Sequence, residues 1–195
     1  MTVRLVFVRH GETEHNIQGK IQGWTDSDLT RHGLEQARMI ARDLELPDLI
    51  IASDLARCRQ TARAIQEALS KSVPLLLDWR VRERYFGALE GTARDNVDWG
   101  EFFSHPEKYQ AFGVEAEQHF EERVKSFLRD LDLIDVRYAV VVVHGGVLNR
   151  LNHLLHPSAF RAREFENAEM LLLEIDPNDP RFAKSDIISD SRLAA

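Results

Sequence analysis

The segment Tyr138-Ala139-Val140-Val141-Val142-Val143 constrains the fold more than any other stretch of the chain. β-Branched valine favours an extended backbone, because its side chain packs well on a pleated surface. No polar side chain falls on either face of the run except the Tyr138 hydroxyl, so both faces must be covered. Strands of this kind belong to parallel sheets sandwiched between helices. Val3-Arg4-Leu5-Val6-Phe7-Val8 reads as a second buried strand of the same sort. Leu49 to Ser53, Val73 to Leu77 and Met170 to Ile175 supply further candidates.

Helical patterns fall between these strands. Thr30 is placed to cap a helix beginning near Arg31, with Leu34, Ala37, Ala41 and Leu44 as its apolar stripe. Ala62, Ile65 and Leu69 mark the buried face of a second helix. Phe120, Val124, Phe127, Leu128 and Leu131 mark a third, and a fourth follows His144-Gly145-Gly146 and runs to about Leu155. Arg80 to Gly91 reads as loop, and the polar stretch from Pro177 as a loose tail. Alternating strands and helices predict an α/β three-layer sandwich: a mostly parallel central sheet flanked by helices. With no internal repeat, linker or low-complexity tract, one domain over 1–195 is the simplest reading.

Charge and cysteine content narrow the function. The net charge of −7 argues against nucleic-acid binding that relies on Lys and Arg against phosphates. It leaves room for a small anion, because a local group of cations can focus field inside a cleft. The single cysteine, Cys58, allows no intramolecular disulfide. Flanked by Arg57 and Arg59 it could be a thiolate nucleophile, but it reads better as a small semi-buried filler. The first apolar run is broken by Arg4 and stopped by Arg9, too short for a secretory segment or a membrane span. A cytoplasmic location is the default expectation, with no membrane partner.

Parallel sheets bind ligands at the carboxyl ends of their strands. Arg9-His10, Ser53 with Arg57, and His144 all lie just past predicted strand ends, so three separate segments converge on one edge. Together they suit phosphate-monoester cleavage, among the slowest of uncatalysed reactions. A neutral imidazole at His10 can be the nucleophile. Arg9, Arg57 and His144 can hold the charged oxygens. A carboxyl must protonate the leaving alcohol. Glu12, Glu83, Glu90 and Glu115 are all candidates, and pattern alone leaves the choice open.

The motifs then resemble a known family. Arg9-His10-Gly11-Glu12-Thr13 with Asn16, Gln22-Gly23 and Leu29-Thr30 is similar to the opening signature of the histidine phosphatase superfamily, which includes cofactor-dependent phosphoglycerate mutases. The resemblance continues through Ser53-Asp54-Leu55-Ala56-Arg57 with Thr61-Ala62, through Arg82-Glu83-Arg84-Tyr85-Phe86-Gly87 with Leu89-Glu90-Gly91, and through Val143-His144-Gly145-Gly146, with a weaker match at Asn167-Ala168. It implies a phosphoglycerate mutase-like fold and a phosphohistidine on His10. It implies Arg9, Arg57 and His144 as the phosphate pocket, and Asn16, Gln22 and Gly23 as substrate-binding positions. Glu83 matches the family's proton donor, whereas Glu90 matches an L-E-G whose role is structural. One branch takes its acid from an Asp directly after the second His; here Gly145 stands there, which points to the branch with a mid-chain Glu. No metal and no cofactor is implied.

The family's mutases carry an adjacent Arg pair after the proton-donor Glu. Between Thr92 and Gln118 this chain offers only Arg94 and Lys108, which favours hydrolysis of a small phosphorylated metabolite over mutase activity. The segment 92–118 is aromatic instead, with Trp99, Phe102, Phe103, Tyr109 and Phe112. It reads equally well as a lid-like insertion or as core packing. Val114-Glu115-Ala116 replaces a common G-E-S, which weakens any transfer of substrate. A non-catalytic phospho-ligand binder would be expected to have lost His10 or Glu83. A protein phosphohistidine phosphatase would lack the insertion. A homodimer is compatible with the family, although the sequence does not specify the oligomeric state.

Overall fold

The computed structural model describes residues 3–131, 136–155 and 165–175. The valine-rich run forms a strand over Tyr138–Val143, every residue of it buried. It lies at the centre of a five-stranded sheet built by β1 (Val3–Arg9), β2 (Leu49–Ala52), β3 (Leu75–Leu77), β4 (Tyr138–Val143) and β5 (Met170–Ile175). The strand order is β3-β2-β4-β1-β5. The β1–β4, β2–β4 and β2–β3 pairings are parallel, and only β5 runs antiparallel, along β1. The expected mostly parallel sheet is therefore observed, with one reversed strand at its edge.

Alternation along β4 divides the core. Ala139, Val141 and Val143 face one layer, where they meet Phe120, Val124 and Phe127 of helix α5 and Leu148 and Leu151 of α6. Val140 and Val142 face the other, against Ala37 and Ile40 of α2 and Ala62 and Ile65 of α3. The helices in chain order are α1 (Glu14–Ile17), α2 (Arg31–Asp43), α3 (Ala56–Ala68), α4 (Trp99–Ser104), α5 (Glu117–Leu131) and α6 (Gly145–Leu155). Thr30 caps α2 as expected, its side chain accepting from the Gly33 N–H at 2.9 Å. Such caps are worth about 1 kcal/mol.

The differences from expectation have local causes. β3 is three residues long rather than five, since Pro74 cannot donate to a ladder. The α2 stripe includes Ile40, and Leu44 falls at its C-cap. Within 80–91 the chain makes short 3-10 turns at Trp79–Val81 and Gly87–Leu89. The short α1 and α4 carry too few residues to show a period. The polar stretch from Pro177 lies outside the described residues. Among those described, no helix is long and apolar enough to cross a membrane.

Candidate active site

β1 and β4 run parallel with Arg9 paired to Val143, so Arg9, His10 and His144 leave the sheet side by side. β2 delivers Ser53 alongside, its N–H bonded to Val142 O at 3.0 Å, and Arg57 follows on the first turn of α3. A cavity of about 600 Å³ opens here. Arg9, His10, Asn16, Gln22, Gly23, Arg57 and Glu83 all line it. His144 does not. It lies fully buried behind them, its ring centroid 5.3 Å from that of His10.

His10 is buried, and its Nδ1 lies 2.9 Å from the carbonyl oxygen of Gly11. A carbonyl only accepts, so Nδ1 carries the proton and Nε2 keeps its lone pair. Burial, then the charges of Arg57 and Arg9, hold the imidazole well below its usual pKa, in the neutral form. The backbone around it is pinned. Gly11 N–H donates to Thr61 Oγ1 at 3.1 Å, and Asn167 Nδ2 donates to His10 O at 3.0 Å. The weakly matched Asn167-Ala168 pair thus braces His10 from the turn that precedes β5, with Ala168 in the left-handed region at φ 65°.

Arg57 is only 1% exposed, and among the described residues no carboxylate forms an ion pair with it. Its guanidinium donates instead to Gly23 O at 2.7 Å, Thr25 O at 3.1 Å and His144 Nδ1 at 3.2 Å. Because Arg57 can only donate, His144 Nδ1 must accept, and Nε2–H is directed to Ser53 Oγ at 2.9 Å. Both ring nitrogens of His144 are therefore engaged. Burial first, then Arg57, keep it neutral. In this arrangement His144 accepts from Arg57, and contact with a phosphoryl oxygen would require exchange of one of these bonds.

Geometry separates the four candidate carboxylates. Glu12 accepts from Thr30 Oγ1 at 2.8 Å. Glu115 pairs with Arg123 at 2.8 Å. Glu90 accepts from Trp24 N, Thr25 N, Thr25 Oγ1 and Phe86 N at 2.7–3.1 Å, latching the loop whose carbonyls seat Arg57. Gly23 at φ 53° permits this approach: a Cβ there would lie 2.0 Å from Glu90 Oε1. Glu83 alone of the four lines the cavity. Its oxygens accept from Arg84 N at 2.8 Å and Gly146 N at 3.0 Å, the latter at the N-terminus of α6.

Two further expectations resolve. Burial pushes the Cys58 thiol up to about 12, and its Sγ sits 3.4 Å from both Val143 O and His144 Nε2. It packs beneath His144 as a protonated filler. The aromatic segment is divided between core and cavity wall. Phe102 and Tyr109 are buried with Ile21, Val97 and Val114, whereas Trp99, Phe102 and Phe103 also line the cavity.

The superfamily model for branch 1 of the histidine phosphatases matches residues 5–187. The chain belongs to this superfamily. A protein of Hydrogenobacter thermophilus named as a phosphoserine phosphatase is 37% identical, over 78% of each chain. A broad-specificity phosphatase of Saccharomyces cerevisiae is 31% identical, over 79% of this chain and 74% of its own. A phosphoglycerate mutase from Bacillus anthracis superposes with a TM-score of 0.80 at 24% identity, covering 90% of this chain and 89% of its own, which establishes the shared fold. The expected phosphoric monoester hydrolase of this superfamily agrees with the phosphatase relatives.

Sequence reasoning missed several supports of the site. Thr61 was noted only as a motif residue. Arg123 escaped notice, although it interrupts the apolar stripe of α5 between Phe120 and Phe127, and a charge on a buried face is rare unless paired.

Proposed function

We propose that the protein hydrolyses a small-molecule phosphate monoester through a phosphohistidine on His10, with Glu83 as proton donor. The carrying observation is the pairing of a neutral His10, its Nε2 lone pair unused, with the buried Arg57 cation. A buried charge with no carboxylate in ion-pair contact is costly, and a phosphoryl dianion would supply that contact. Arg9 and Arg57 would hold the oxygens, and the amide of Asn16 would help orient them. Its Oδ1 is already held by Thr13 and Asn167, which leaves the amide hydrogens for the ligand. Gln22 and Gly23 would bound the substrate.

His10 Nε2 attacks phosphorus in line, and the bond to the leaving oxygen breaks as Glu83 passes it a proton. The Glu83 carboxylate then takes a proton from water. That water's oxygen attacks phosphorus, the P–N bond breaks, and inorganic phosphate leaves. General acid catalysis of this kind contributes roughly 10²- to 10⁴-fold. The aromatic wall formed by 92–118 would act as a lid over a partly apolar leaving group, within one domain over 1–195. Hydrolysis rather than mutase transfer is supported by the absence of an adjacent Arg pair in 92–118, and two further cations of the cavity, Arg84 and Arg150, both pair with Glu117. The setting proposed is the cytoplasm, with or without a homodimer.

A panel of phosphorylated metabolites, assayed with and without chelator, tests this reading. Phosphate release from monoesters should survive EDTA and vanish in His10→Ala. Loss with EDTA that a divalent metal restores would contradict it. So would interconversion of phosphoglycerates, primed with the bisphosphate, that outpaces all hydrolysis.

A further inference from the structure

We infer that Arg123 is a positioning residue that sets the height of Glu83 in the cavity. The inference rests on Glu83 being the proton donor. Arg123 projects from the buried face of α5, and its side chain is 6% exposed. Its Nη1 donates to Arg80 O at 2.8 Å and Arg82 O at 2.7 Å. Its Nη2 donates to Glu83 O at 2.7 Å and Glu115 Oε2 at 2.9 Å, and its Nε to Glu115 Oε1 at 2.8 Å. All five N–H groups of a guanidinium are thereby used.

Three of these acceptors are backbone carbonyls of the segment that carries Glu83. That segment has no regular ladder of its own, so its path depends on such clamps. Glu83 O accepts a second bond, from Trp24 Nε1 at 2.8 Å. Glu115 supplies the counter-charge that lets a cation sit here, and its Oε2 also accepts from Tyr85 N at 3.2 Å. The glutamate of Val114-Glu115-Ala116 therefore completes the clamp, with no need of the serine that follows it in the common G-E-S. No contact of Arg123 reaches His10, Arg9 or Arg57. Its loss should displace the acid and leave the phosphate end in place. A small displacement of a catalytic group costs up to about 10²-fold.

The test compares Arg123→Lys, Arg123→Met and Glu83→Gln on two esters, an alkyl phosphate with a poor leaving group and dinitrophenyl phosphate with a good one. Lysine keeps the charge but has three N–H groups on one atom and cannot span the carbonyls. Both Arg123 variants should lose about 10²-fold in kcat on the alkyl ester and less than about threefold on the dinitrophenyl ester. Glu83→Gln should show the same selectivity. If Arg123→Met does not fold by circular dichroism, Arg123→Lys carries the comparison. Equal losses on both esters in folded Arg123 variants, or no loss, would overturn the inference while a selective Glu83→Gln leaves the acid assignment standing. Equal losses in Glu83→Gln would overturn the acid assignment itself.

Discussion

At the scale of single residues, the site depends on keeping two imidazoles neutral. His10 and His144 are buried beside Arg57, and burial is the leading cause of the lowered pKa at both. This has a thermodynamic signature. In the unfolded chain a histidine takes up a proton below its ordinary pKa of about 6.5. In the fold these two do not, so the unfolded state binds more protons as pH falls below that value. Stability should therefore be fully present above about pH 7 and decline on acidification, by up to about 1.4 kcal/mol per pH unit for each histidine. Denaturant melts at pH 7.5 and 5.5 check this. Replacing His144 by Gln should flatten the slope, and a slope unchanged by that replacement would contradict the assignment.

At the scale of elements, the N-terminus of α6 is where sheet and loop meet. Gly146 N–H binds Glu83, and a Cβ at Gly146 would come within 2.0 Å of Glu83 Oε1. Gly146→Ala should therefore push Glu83 away while His10 and Arg57 stay in place. We expect turnover of alkyl phosphates to fall by about 10²-fold, with Tm little changed. Unchanged alkyl turnover would show that the contact has no part in placing the acid. The periodicity of the sequence displayed both ends of this arrangement. The run before His144 reads as a strand covered on both faces, and Phe120 to Leu131 as a helical stripe, which the structure packs against it. It did not display the clamp. Arg80, Arg82 and Arg84 look like a solvated charge run, yet each is tied to a carboxylate: Asp78, Asp54 and Glu117. The last two pairs join residues distant in sequence, and no local pattern records them.

At the scale of the molecule, an acidic chain concentrates cations at one sheet edge. The net charge of −7 says little about the cavity, where Arg9 and Arg57 face a neutral histidine. Topology does the concentrating. Parallel β1, β2 and β4 end together, so residues at positions 9–10, 53–57 and 144 become neighbours without any sequence signal between them. That convergence was legible once the strands were recognised. What pattern alone left open was the choice among four glutamates, because which of them reaches the cavity is decided only after folding. The family resemblance pointed to Glu83, and of the four it is the one that lines the cavity.

The central claim is that the phosphoryl group passes through His10. Rapid-quench trapping with a ³²P-labelled monoester tests it directly, followed by peptide mapping at alkaline pH, where phosphohistidine survives. The account predicts an acid-labile, alkali-stable label on the peptide containing His10, formed and discharged at rates matching turnover and absent in His10→Ala. Label on another residue, or turnover without any trapped label under conditions where dephosphorylation is rate-limiting, would contradict it.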